Sequence, residues 1–60
     1  MLAIKVSQEK ALEIIETREP RGLFYSVEDN GYIVGIDNTT SDAWTEDFTM
    51  LADCINWLDR

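Results

Sequence analysis

The sequence predicts an α+β domain with the order α-β-β-β-α, a three-stranded antiparallel meander with two helices packed on one face. Three observations carry this. An apolar pattern of helical period precedes Pro20, two strand-prone runs flank Asn30-Gly31, and a stripe of helical spacing closes the chain. At 60 residues the chain holds one domain, residues 1–60.

Leu2, Ile4 and Val6 alternate with Ala3 and Lys5, which reads as a short extra N-terminal strand or an ordered lead-in. Ser7 is a favoured N-cap residue, Glu9 follows in the first turn, and Val6 can staple onto Ala11. The first helix is expected from Gln8 to Thr17 or Arg18, with Ala11, Leu12, Ile14 and Ile15 as its apolar stripe. Pro20 steers Glu19 away from helical backbone, and Gly22 confirms the break.

Leu23-Phe24-Tyr25-Ser26-Val27 and Tyr32-Ile33-Val34-Gly35-Ile36 are the hairpin strands. Asn30-Gly31 tolerates the positive φ of a two-residue type I′ turn. Pairing symmetrical about that turn sets Val27 opposite Val34, so Leu23, Tyr25 and Val27 share a face with Tyr32, Val34 and Ile36. Gly35 then makes room for an aromatic such as Trp44 or marks a bulge. Residues 37–42 form a polar turn, and Ala43 to Phe48 returns as the third strand. Thr49 or Asp47 is expected to cap the last helix, whose stripe is Leu51, Cys54, Ile55 and Leu58.

A chain this short buries only about 60% of the surface its unfolded form exposes, so it needs a well-filled core or a partner chain. Cys54 is the sole cysteine and histidine is absent, which excludes an intrachain disulfide and makes a structural zinc site and other metals unexpected. The same absences remove Ser-His-Asp, Cys-His and His-based acid–base schemes, so no catalytic residue is assigned and no enzyme is expected. Cys54 lies within an apolar stripe and reads as a buried small hydrophobe. Asp37, Thr39, Ser41 and Asp42 resemble a calcium loop only in spacing. Asp42 stands where such a loop turns on glycine, and Phe48 where it needs an acid. No cofactor is expected. The lone thiol and the absence of a signal-peptide core or a long apolar run point to a cytoplasmic protein with no membrane role.

The net charge of −7 is uneven. In residues 1–27, Glu9, Glu13, Glu16 and Glu19 balance Lys5, Lys10, Arg18 and Arg21. Beyond them, Glu28, Asp29, Asp37, Asp42, Glu46, Asp47, Asp53 and Asp59 face Arg60 alone. Such a field repels nucleic acid and favours either solubility or a basic protein partner. The candidate interface comprises Asp42, Glu46, Asp47, Trp44, Tyr25 and Tyr32, with a second copy of the chain as a further candidate partner. The leading expectation is a non-catalytic accessory or regulatory protein that acts by protein binding. The alternatives are an acidic inhibitor that mimics nucleic acid at a basic surface, and a structural or self-assembling subunit.

The segment Gly31-Tyr32-Ile33-Val34-Gly35-Ile36-Asp37-Asn38-Thr39-Thr40-Ser41-Asp42-Ala43-Trp44-Thr45-Glu46-Asp47-Phe48 resembles small uncharacterised proteins of phage and prophage regions in Gram-positive bacteria. The resemblance extends from Glu19 to Leu58. It implies an accessory role beside a host or phage protein, such as regulation, takeover or counter-defence, and carries over no catalytic residue.

Overall fold

Backbone hydrogen bonding in the computed structural model, which describes residues 3–59, draws the chain into six elements: β1 (Ile4–Lys5), α1 (Gln8–Thr17), β2 (Leu23–Val27), β3 (Ile33–Asp37), β4 (Trp44–Phe48) and α2 (Leu51–Leu58). The α+β class, the α-β-β-β-α order and the short N-terminal strand all follow the expectation. Leu2, part of the expected N-terminal alternation, lies outside the described residues. The sheet order is β1-β2-β3-β4, with β1 parallel to β2 and the other pairs antiparallel. A parallel pair needs a crossover, and α1 is that crossover.

Ser7 caps α1 by accepting the Lys10 N–H at 3.1 Å. The helix closes at Arg18, whose left-handed backbone (φ 59°) lets its N–H reach the Ile14 carbonyl. The α2 terminus departs from expectation. Met50 holds the N-cap position and makes no side-chain cap bond, so neither Thr49 nor Asp47 serves there.

The hairpin closes differently from a two-residue turn. The Gly31 N–H bonds the Glu28 carbonyl at 2.9 Å, and the Glu28 N–H bonds Tyr32 at 2.7 Å. Gly31, at φ 89°, ends a three-residue loop of the kind in which a glycine adopts positive φ. The register therefore pairs Val27 with Ile33 and Phe24 with Ile36. A slip of one residue exchanges the faces of a strand. Leu23, Tyr25 and Val27 share a face with Ile33, Gly35 and Asp37, and the expected grouping with Tyr32, Val34 and Ile36 does not occur.

Both faces of the hairpin are thus apolar, and the two helices divide between them instead of covering one face. Ala11 and Ile14 of α1 pack with Phe24 and Ile36, flanked by Val6, Ile15 and Val34. Cys54 and Leu58 of α2 pack with Ile33, flanked by Leu23, Tyr25, Phe48 and Trp57. Each helix is rotated slightly from its expected stripe. Leu12, Leu51 and Ile55 face outward, and Trp57 turns inward to meet Phe48 with ring centroids 5.8 Å apart.

Asn38 secures the end of the sheet away from the hairpin turn. It is fully buried, donates from Nδ2 to the Pro20 carbonyl at 2.8 Å and accepts the Ala43 N–H at Oδ1 at 3.1 Å. Its backbone exchanges two hydrogen bonds with Gly22. The left-handed residues Ser41 (φ 67°) and Ala43 (φ 51°) bring the chain around this amide and launch β4.

Candidate functional site

The sheet offers β4 as its long exposed edge. Because Gly22 and Asn38 exchange both backbone bonds, the antiparallel alternation directs the even-numbered residues of β3 toward β2. Ile33, Gly35 and Asp37 then point their backbone groups at Phe48, Glu46 and Trp44. The N–H and C=O groups of Thr45 and Asp47 face away from the sheet.

The side chains of β4 alternate in the perpendicular sense. Trp44, Glu46 and Phe48 lie on the α2 face, while Thr45 and Asp47 lie on the α1 face beside Ile36 and Val34. Four of the five β4 residues are exposed, and Trp44 is 62% exposed despite its large apolar area. None of these four residues belongs to either core cluster.

On the α1 face, Asp47 borders an open depression of about 410 Å³ lined also by Glu28, Asn30, Tyr32 and Val34. Glu28 is held in place by the Ser26 hydroxyl, which donates to its Oε2 at 3.0 Å. Among the described residues neither Glu28 nor Asp47 has a cationic partner, the only ion pair being Lys10–Glu13 at 3.2 Å. Two carboxylates and a tyrosine ring therefore border one depression, and their local charge is negative.

Of the six residues singled out from sequence, the structure gathers Trp44, Glu46 and Asp47 on β4, with Tyr32 beside Asp47 across the depression. Asp42 precedes the strand, exposed, and accepts from the Thr40 hydroxyl at 2.7 Å. Tyr25 does not join them, because it packs in the α2 core. Glu28 was missed. Its signal lay in the hairpin register, which sets it opposite Tyr32 instead of opposite Ile33 and so turns it to the face of Val34 and Asp47.

A larger open groove of about 850 Å³ lies at the C-terminal end of α1, lined by Lys10, Glu13, Thr17, Arg18, Glu19, Pro20, Arg21 and Ser41. Its charges interleave. Lys10 is paired with Glu13, Arg21 donates from Nε to Ser41 Oγ at 2.9 Å, and the negative end of the helix dipole points into it. Such a groove lacks the single sign that selects a charged ligand.

Among the described residues no group of three or more Cys, Asp or Glu side chains could hold a metal ion. Cys54 is completely buried, and burial pushes its thiol above the ordinary value of 9.0, which keeps it neutral and unreactive at physiological pH. No helix is long and apolar enough to cross a membrane. Compared with known proteins, the chain significantly matches no family model, no curated protein and no solved structure.

Proposed function

We propose that this domain is a non-catalytic binding module that engages a basic protein partner through β4 and the acidic depression beside it. The observation that carries this reading is the pairing on one strand of an exposed indole, Trp44, with the exposed carboxylates Glu46 and Asp47. Desolvated tryptophans supply much of the affinity at protein interfaces, whereas exposed charges govern encounter rate and choice of partner. The neutral, buried thiol and the lack of histidine support a role without chemistry. A lone cysteine suits a reducing compartment, and the cytoplasm is where we place the protein.

The test is a selection from a random-peptide library on the immobilised domain at physiological ionic strength. A triple variant, Asp42→Asn, Glu46→Gln and Asp47→Asn, is compared with a control of equal net charge, Glu9→Gln, Glu16→Gln and Asp53→Asn. The expected result is that wild type and control enrich lysine- and arginine-bearing peptides with apolar residues between them, and the triple variant does not. Identical enrichment by both variants would reduce the acidic side of β4 to a solubilising surface.

A further inference from the structure

We infer that the partner binds β4 as an added strand, an extended basic segment that continues the sheet through the backbone of Thr45 and Asp47. This rests on the reading above and makes it more specific, from an acidic surface to a mode of recognition. A row of unpaired N–H and C=O groups at a sheet edge is a template for another chain. Proteins blunt unused edges with charged side chains, proline, bulges or a covering element. The β4 sequence Trp-Thr-Glu-Asp-Phe has no proline, four of its five residues are exposed, and its two charges are both acidic, so they repel an acidic strand and admit a basic one.

The two faces of β4 dictate the pattern of the occupant. An added strand alternates its side chains as β4 does. On the α1 face its residues run beside Thr45 and Asp47, where a lysine or arginine reaches over Asp47 toward Glu28 and Tyr32 in the depression. On the α2 face they run beside Trp44 and Glu46, where a β-branched or aromatic residue covers the indole. The occupant is therefore an extended segment with basic residues on one face and apolar residues on the other.

Charge selects this occupant over a second copy of the chain. Pairing β4 with β4 would bring Glu46 and Asp47 of one copy against those of the other, between molecules that each carry −7. Like charges directly across a strand pair are destabilising.

The experiment titrates the isotope-labelled domain with a blocked seven-residue peptide alternating lysine and valine, followed by amide chemical shifts and hydrogen exchange. Saturable shifts centred on β4 and slowed exchange of the Thr45 and Asp47 amides are expected. N-methylation of the two peptide nitrogens that face β4 removes those hydrogen bonds and leaves the charge intact. It should weaken binding roughly tenfold or more, because two backbone hydrogen bonds are lost. N-methylation of the nitrogens facing away should change little. Equal binding by both methylated peptides would overturn strand addition and leave the acidic-surface reading standing. Sensitivity to N-methylation without any response to the Glu46→Gln, Asp47→Asn double variant would do the reverse. No saturable binding, or self-association of the domain through β4, overturns strand addition outright.

Discussion

Gly35 of β3 lies directly beneath Trp57 of α2: a Cβ placed on Gly35 would stand 3.1 Å from the indole Cε3 and 3.1 Å from Cys54 Sγ. The glycine is what allows α2 to settle onto the sheet. The expectation that Gly35 makes room for an aromatic holds in kind, but the ring is Trp57 on the helix and not Trp44 on the neighbouring strand. Gly35→Ala should therefore cost about 1–3 kcal/mol through overpacking, although alanine is otherwise easier to order. Urea denaturation followed by tryptophan fluorescence measures it. Combining Gly35→Ala with Cys54→Ala removes one of the two close neighbours, so the pair should be less destabilising than the sum of the single variants. Strict additivity would show that the methyl does not meet the sulfur.

Asn38 provides the second prediction. Its side chain satisfies the Pro20 carbonyl and the Ala43 N–H from a fully buried position, tying the turn before β2 to the loop before β4. Asn38→Ala strands both groups, at about 1–3 kcal/mol for a buried polar group left without its partner. Asn38→Asp is the more specific probe. An ionised carboxylate still accepts from Ala43 but cannot donate to Pro20, so this variant should be less stable than wild type at neutral pH and regain part of the loss in acid, where the protonated acid can donate. Equal stability losses at both pH values would argue against the Pro20 bond.

The third prediction separates the two sides of α2. Leu58 is 3% exposed and Ile55 is 36% exposed. Leu58→Ala should cost about 2–5 kcal/mol, enough to unfold so small a domain, whereas Ile55→Ala should cost about 0.5–1 kcal/mol. A reversed order in denaturation midpoints would mean that α2 is rotated toward the stripe centred on Ile55.

That rotation and the division of the helices share one cause, and it shows where the sequence stops being legible. The elements were readable because their signals are local: Ser7 as a cap, Pro20 as a break, Asn30-Gly31 as a turn. The register was not, because Asn30-Gly31 fits a two-residue turn and a three-residue loop with Gly31 at positive φ equally well. The choice between them moves every side chain of β2 relative to β3. A usable clue did exist. Leu23-Phe24-Tyr25 and Tyr32-Ile33-Val34 are continuous apolar runs, which mark strands covered on both faces, whereas a one-sided sheet alternates. Read that way, the runs require one helix on each side. The candidate site was partly legible for the same reason. Trp44, Glu46 and Asp47 are neighbours in sequence on one strand, but Glu28 joins Asp47 only through the register, and Tyr25 leaves the group through it.

The last prediction concerns pH and the buried thiol. Burial raises the Cys54 pKa above its ordinary value of 9.0, because the interior disfavours the thiolate. Below pH 9.0 the folded and unfolded chains both carry the neutral thiol, so this group contributes its full stability there and gives no slope. As pH rises past 9.0 the unfolded chain loses its proton first, the folded chain holds more protons, and stability falls until the folded pKa is passed. The thiol is isolated by difference: wild type should lose stability relative to Cys54→Ala as pH increases above 9.0, and the two curves should run parallel below it. The neutral, enclosed sulfur should also react with an aromatic disulfide reagent only when the domain opens. The labelling rate should then follow the equilibrium opening and climb steeply with urea. Labelling at the rate of a free thiol in native buffer would place Cys54 at the surface and remove the link between α2 and Gly35 on which the packing argument stands.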